Sequence, residues 1–119
     1  MLGDLQLNVM EVVWRLGNAT VAEVHEELLT QRRIAYTTVL STMRALEKRG
    51  FLKHSIEGKA HRFFARVSRE DYASDSVQQL VSRLFAGDPA ALMSHLLGSE
   101  DLGPEDLSRI RRLIEEGDA

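Results

Sequence analysis

Thr37, Ser41, Arg44 and Lys48 follow one another at intervals of three and four residues. On a helix that spacing puts them on one face. Thr and Ser are short enough to let a backbone come close to another surface. Their hydroxyls meet base edges or phosphates, and a Thr methyl meets thymine methyls. Arg44 presents a fork of N–H donors that fits guanine O6 and N7 and equally well a phosphate oxygen, so its type alone does not choose between them. Thr38 lies toward the edge of the face, where it either joins the contact surface or caps the helix start. Tyr36 either gives its hydroxyl to a phosphate or packs on the preceding helix. A merely solvated helix face is richer in Glu and Lys. The surrounding charge is one-sided: from Arg32 to Arg66 the chain carries nine Lys and Arg against two acids, Glu47 and Glu57. That is a local +7 in a 119-residue chain of net charge −3. A basic block in an otherwise acidic chain is the electrostatic footprint of a surface that meets a polyanion. Further along the block, Lys53, Lys59, His61 and Arg62 are expected phosphate contacts, although strand alternation cannot turn all of them the same way. The expected DNA-binding set is Tyr36, Thr37, Thr38, Ser41, Arg44, Lys48, Lys53, Lys59 and Arg62.

Other chemistries find no support in the residues. His25, His54, His61 and His95 show neither His-x-x-His nor His-x-x-x-His spacing, and there is no cysteine to supply a thiolate, so no metal site is expected. There is no nucleophile elbow, P-loop or dinucleotide fingerprint. Glu26-Glu27 and Glu115-Glu116 are neighbours in sequence, and a helix turns neighbours about 100° apart, so neither pair makes an acid–base dyad. No enzymatic activity and no cofactor is expected. Apolar runs fall well short of the roughly 20 residues a membrane span needs. The first residues lack a basic segment followed by an apolar stretch. No membrane insertion and a cytoplasmic location are therefore expected.

The elements that must position the polar face are legible from periodicity. The apolar set Leu5, Leu7, Val9, Met10, Val12, Val13, Trp14 and Leu16 predicts a helix over about 4–16, stopped by Gly17. Thr20 and Glu23 have capping-box spacing, so a second helix runs from 21 to about Thr30. A third spans about Tyr36 to Arg49, with Val39, Leu40, Met43 and Leu46 inward, and Gly50 ends it. Phe51–Ser55 and His61–Val67 have strand character around a turn at Gly58. Three helices followed by a basic hairpin is the order of a winged helix-turn-helix domain, in which the third helix enters the major groove and the hairpin lies along the backbone or in the minor groove. Trp14, Phe51, Phe63 and Phe64 are expected in its core.

The pattern changes after residue 67. Residues 1–67 carry ten Lys/Arg against seven acids, a net +3, and 68–119 carry five against eleven, a net −6. Ser68 caps a fourth helix with Val77, Leu80, Val81, Leu84 and Phe85 in a stripe. Leu92 and Leu96 belong to a fifth, opened by Pro89. Leu107, Ile110, Leu113 and Ile114 belong to a sixth, opened by Pro104. Three short helices enclose little core of their own, and a second copy of the chain is the simplest cover for their stripes. The expected organisation is mainly α with a small β-hairpin wing: a winged helix-turn-helix domain over 1–67 and a helical dimerisation domain over 68–119.

These pieces resemble the BlaI/MecI-type penicillinase-repressor family of bacterial winged-helix transcription factors, over nearly the whole chain. The resemblance rests on Val9-Met10-Glu11-Val12-Val13-Trp14, Ala19-Thr20-Val21-Ala22-Glu23-Val24, Ala35-Tyr36-Thr37-Thr38-Val39, Leu46-Glu47-Lys48-Arg49-Gly50-Phe51-Leu52, the turn Glu57-Gly58-Lys59, and Ser99-Glu100-Asp101-Leu102. It implies a homodimeric repressor on a near-palindromic operator, controlling β-lactam resistance or another cell-envelope stress response, with Thr37, Thr38, Ser41 and Arg44 facing bases or adjacent phosphates. The alternative is a winged-helix adaptor that binds protein instead of specific DNA. Two departures matter. The best-known members are inactivated when a membrane sensor protease acts, indirectly, to cut an Asn-Phe bond. Aligned on Glu100-Asp101-Leu102, that bond falls at His95-Leu96, and the Asn-Phe pair is missing. The copper-responsive branch uses C-terminal cysteines, and this chain has none. A smaller departure is Gly3, which stands where a Ser/Thr cap is common, with Asp4 beside it.

Overall fold

The computed structural model describes residues 1–117; the last two residues of the expected 68–119 region lie outside the described residues. In chain order the elements are α1 (Asp4–Leu16), β1 (Asn18–Thr20), α2 (Val21–Leu29), α3 (Tyr36–Lys48), β2 (Leu52–Glu57), β3 (Ala60–Ala65), α4 (Arg69–Leu84), α5 (Pro89–Leu97) and α6 (Pro104–Glu116). They form two compact units, divided along the chain within α4: Met1–Ser74 and a second beginning at Asp75. The expected boundary at 67/68 falls just before α4, whereas the first turn of that helix belongs to the first unit. Tyr72 explains this. Its ring sits 5.8 Å from Trp14 and 6.0 Å from Phe51, and its hydroxyl accepts from the Leu2 backbone N–H at 2.8 Å.

The first unit is built on a three-helix core closed by a sheet. Val9, Met10 and Val13 of α1, Val24 and Leu28 of α2, and Val39, Met43 and Leu46 of α3 meet Leu52 and Phe63 from the strands, each at most 1 % exposed. Burying an aliphatic or aromatic side chain this fully contributes about 1.5–3 kcal/mol relative to leaving it in water. Phe51 and Trp14 pack against the cluster without being fully enclosed, and the Trp14 indole N–H donates to the Val67 carbonyl at 2.9 Å. Helix starts follow local chemistry. Thr20 and Glu23 form the capping box, with Thr20 Oγ1 accepting from the Glu23 N–H at 3.2 Å and Glu23 Oε1 from the Thr20 N–H at 2.9 Å. Ser68 Oγ accepts from the Asp71 N–H. Gly3 caps α1 with no side-chain bond, so Asp4 contributes only its charge at the positive end of the helix. Gly50, at φ +87°, lets α3 end in a Schellman arrangement, with the Gly50 N–H donating to Glu47 O and the Phe51 N–H to Leu46 O.

The sheet has one strand more than the hairpin. Its order is β1-β3-β2, all antiparallel, with Ala19 opposite Phe63 and Thr20 opposite Arg62 on one side of β3, and His54 opposite Phe63 and Ser55 opposite Arg62 on the other. Asn18-Ala19-Thr20 is too short to carry a period of two. It becomes a strand because β3 offers it an edge, and Ala19 is fully buried there.

In the second unit no side chain of α5 or α6, nor of α4 anywhere along its length, is buried. Val77, Leu84, Leu96, Leu107, Leu113 and Ile114 are exposed, Leu113 and Ile114 at 69 % and 70 %. Leu80, Val81, Phe85, Leu92 and Ile110 are half-buried. The expected stripes are present, and nothing among the described residues encloses them.

Candidate nucleic-acid interface

The polar face of α3 is set by what holds the start of that helix. Ala35 caps it with no side-chain bond, so Thr38 does not act as a cap. The turn from α2 is closed instead by His25, whose Nε2 lies 2.8 Å from the Ile34 carbonyl and whose ring stands edge-on to Tyr36 at 5.7 Å. Tyr36 thus packs on α2 while remaining 46 % exposed. Val39, Met43 and Leu46 anchor the opposite side of α3 in the core, which turns Thr37, Thr38, Ser41, Arg44 and Lys48 outward, all exposed. The Ser41 hydroxyl donates to the Thr38 carbonyl at 3.1 Å, as does the Thr42 hydroxyl at 2.7 Å. Among the described residues the Thr37 and Thr38 hydroxyls have no partner.

The hairpin of β2 and β3 stands beside this face. Gly58 at φ +61° makes its turn, a conformation that L side chains rarely adopt. Lys59, His61 and Phe63 from the wing face Tyr36, Leu40 and Arg44 from α3 across an open cleft of about 300 Å³, with Thr20, Val21 and Ala22 at its α2 end. Leu40, expected inward with Val39, is half-buried and forms part of the cleft wall. Of the expected contact residues, the cleft gathers Tyr36, Arg44 and Lys59. Thr37, Thr38, Ser41, Lys48 and Lys53 lie outside its lining.

Electrostatics divides the basic block. Arg32, Arg33, Arg44, Lys48, Lys53, Lys59 and Arg66 enter no ion pair among the described residues. Two members of the block are engaged inside the fold. Arg49 donates to Gln6 Oε1 at 2.7 Å and lies 5.4 Å over the Phe51 ring. Arg62 donates through Nε to Glu57 Oε2 at 2.6 Å, and through Nη1 to Asn18 Oδ1 at 2.9 Å and Glu23 Oε1 at 3.0 Å. The Glu57 carboxylate, then the charge of Glu23, raises the Arg62 pKa above its ordinary value. Glu23 is held below the usual carboxylate range, first by the Thr20 backbone N–H and then by the Thr20 hydroxyl and Arg62.

Sequence reading missed a second polar link. His54 Nδ1 lies 2.5 Å from Glu47 Oε2, joining the wing to α3, and the His54 ring stacks on His61 at 4.2 Å with 8° between the planes. Neither His25 nor this pair carries a local signal, because each acts across a turn that only the fold closes. Among the described residues no three His, Cys, Asp or Glu side chains form a group able to hold a metal, and no helix is long and apolar enough to cross a membrane.

Comparison with known proteins decides the family. The family model described as "Penicillinase repressor" matches residues 2–116. The chain belongs to the penicillinase repressor family. It is 31 % identical over 120 residues to the transcriptional regulator BlaI of Mycobacterium tuberculosis, spanning 99 % of this chain and 86 % of that protein. It is 24 % identical over 115 residues to the penicillinase repressor of Bacillus licheniformis, spanning 97 % and 90 %. Among solved structures, the solution structure of the DNA binding domain of the repressor BlaI superposes with a TM-score of 0.55 at 28 % identity, covering 60 % of this chain and 88 % of that one. A complex structure of hsRosR-S4 matches at a TM-score of 0.59 over 98 % of this chain and 90 % of that one, and at 11 % identity it speaks for the fold alone. The family is one of transcriptional repressors, not of enzymes, and this member carries its winged-helix DNA-binding domain.

Proposed function

We propose that this repressor acts as a homodimer on a near-palindromic operator in double-stranded DNA. In this reading α3 of each copy lies in the major groove of one half-site and the wing follows the flanking backbone. Thr37, Thr38, Ser41 and Arg44 meet base edges or adjacent phosphates, and Tyr36, Lys48, Lys53 and Lys59 meet phosphates. The observation that carries it is the cleft between α3 and the wing, where Arg44 and Lys59, both free of ion pairs among the described residues, face the same space. Unneutralised cations on a face of short hydroxyl side chains suit a polyanion that must be approached closely.

The dimer is supported by the wet stripes of the second unit, above all Val77, Leu84, Leu107, Leu113 and Ile114. A two-fold pairing covers such stripes with an identical set and matches the symmetry of a palindromic site. The proposed setting is the cytoplasm, and the proposed targets are genes of β-lactam resistance or another cell-envelope stress response. Release by proteolysis meets a departure in this chain, since His95-Leu96 stands where the best-known members have Asn-Phe. His95-Leu96 lies in the last turn of α5, so cleavage there requires that turn to open. Exposing cells to a β-lactam and looking for a cut near residue 95 tests that route, and an intact chain in induced cells rules it out.

The binding reading is tested by a mobility-shift titration against the DNA upstream of the protein's own gene, repeated between about 50 and 200 mM salt. Several neutralised phosphates predict a steep fall in affinity across that range. A flat response, or no shift at all, returns the chain to the protein-adaptor alternative.

A further inference from the structure

Arg62 belongs to the basic block by sequence and is separated from it by geometry. Successive residues of β3 point to opposite faces of the sheet. His61 and Phe63 turn toward α3 and line the cleft, so Arg62 between them points to the other face, and it is absent from the cleft lining. There its guanidinium spans three elements at hydrogen-bond distance: Glu57 at the end of β2, Asn18 on β1, and Glu23 in the first turn of α2. The Glu23 oxygen it reaches, Oε1, is the one that closes the capping box of α2 on Thr20. Two carboxylates already neutralise this cation, while Lys53 and Lys59 on the same hairpin have no ion-pair partner among the described residues. On the cleft side the wing is tied again, by His54 to Glu47 of α3.

We infer that Arg62 is a positioning residue for DNA binding: it ties the wing to β1 and to the start of α2, fixing where Lys59 and Lys53 meet the nucleic acid, and gives no charge to a phosphate. The inference rests on the reading that the α3–wing face meets DNA. The planar fork is what the role requires, since one guanidinium reaches three acceptors from two edges and a lysine ammonium does not reproduce that geometry. A phosphate contact, by contrast, tolerates lysine as a point charge.

The test uses the full chain, a labelled duplex from the region upstream of its own gene, and the variants Arg62→Lys and Glu57→Gln. Arg62→Lys keeps the charge and is expected to weaken binding on the order of fivefold. Glu57→Gln removes an acid from a surface facing a polyanion, which by charge alone tightens binding, yet it is expected to weaken it because the wing loses a tie. Hydrogen exchange without DNA is expected to quicken in 52–65 of Arg62→Lys while the amides of α1 and α3 stay protected. Lysine binding as well as arginine, or tighter binding by Glu57→Gln with unchanged wing exchange, overturns the inference. If the unaltered protein fails to bind the duplex, the DNA reading falls, and the exchange measurement still decides whether Arg62 holds the wing.

Discussion

The two units solve the same problem of burying apolar side chains in different ways. The first sends apolar residues from three helices and a sheet into one cluster, with ten large side chains at most 1 % exposed. The second has comparable apolar stripes on α4, α5 and α6 and buries none of them. What separates the units is the number of surfaces each sequence supplies. A helix needs an opposing face to dry its stripe, and the sheet and α1 provide one to α2 and α3. The difference teaches where stability and assembly reside: the DNA-binding unit is expected to stand by its own core, and the helical unit by what pairs with it.

The strongest way to break this contrast is to hollow out the first core. Phe63→Ala is expected to cost about 3–5 kcal/mol, read from urea unfolding, and Leu46→Ala about 2–5 kcal/mol. The same truncation at Leu113 is expected to leave the unfolding of the first unit in place, and a loss as large as that of Phe63→Ala would show that the units are not independent. Next in size, Leu113→Asp with Ile114→Asp is expected to shift the mass measured by light scattering from dimer to monomer and to weaken operator binding, with the circular dichroism of the first unit retained. A monomeric parent protein, or an unshifted double variant, would sink the pairing role of α6. Arg44→Ala is expected to weaken operator binding by about 1–3 kcal/mol and relax preference at one base pair if it reads a base. A uniform loss across sequences, with a salt slope lower by about 0.9, assigns it to a phosphate instead. Thr20→Ala opens the capping box and is expected to cost about 1 kcal/mol.

The smallest expected effect is on pH dependence. Glu23 has a pKa lowered in the fold, chiefly by the Thr20 backbone N–H. A group whose folded pKa is depressed adds stability that is complete above its unfolded value and is lost as pH falls through the folded one. Acidification below the ordinary carboxylate range is therefore expected to release this part of stability. Glu23→Gln should flatten that limb in unfolding melts taken at stepped pH, and an unchanged limb would mean that the ion pair with Arg62 and the capping box contribute little.

Much of the first unit is legible in the order of its residues. The spacing of Val9, Met10, Val13 and of Val39, Met43, Leu46 marks two helices and the sides they bury. Thr20 with Glu23 marks where α2 starts, and Gly50 and Gly58 mark where the chain turns. The exposed face of Thr37, Ser41 and Arg44 follows from the same count, because whatever is not buried on a helix with one apolar stripe faces outward. Arg62 is the exception. Its type and its place in a basic run suggest a phosphate contact, and its partners Asn18 and Glu23 lie 44 and 39 residues away in the chain. His54 and His61, with no motif between them, become a stacked pair only through the register of β2 on β3.

By itself the sequence determined the local elements, the caps and the uneven distribution of charge, since each depends on side chains within a few residues of one another. The tertiary structure decided which cations remain free, which are spent on carboxylates, and that Asn18-Ala19-Thr20 is a strand at all. Those outcomes depend on groups brought together by chain reversal, and the strength of an ion pair or a sheet edge is set by the distance and exposure of a partner that no local spacing specifies.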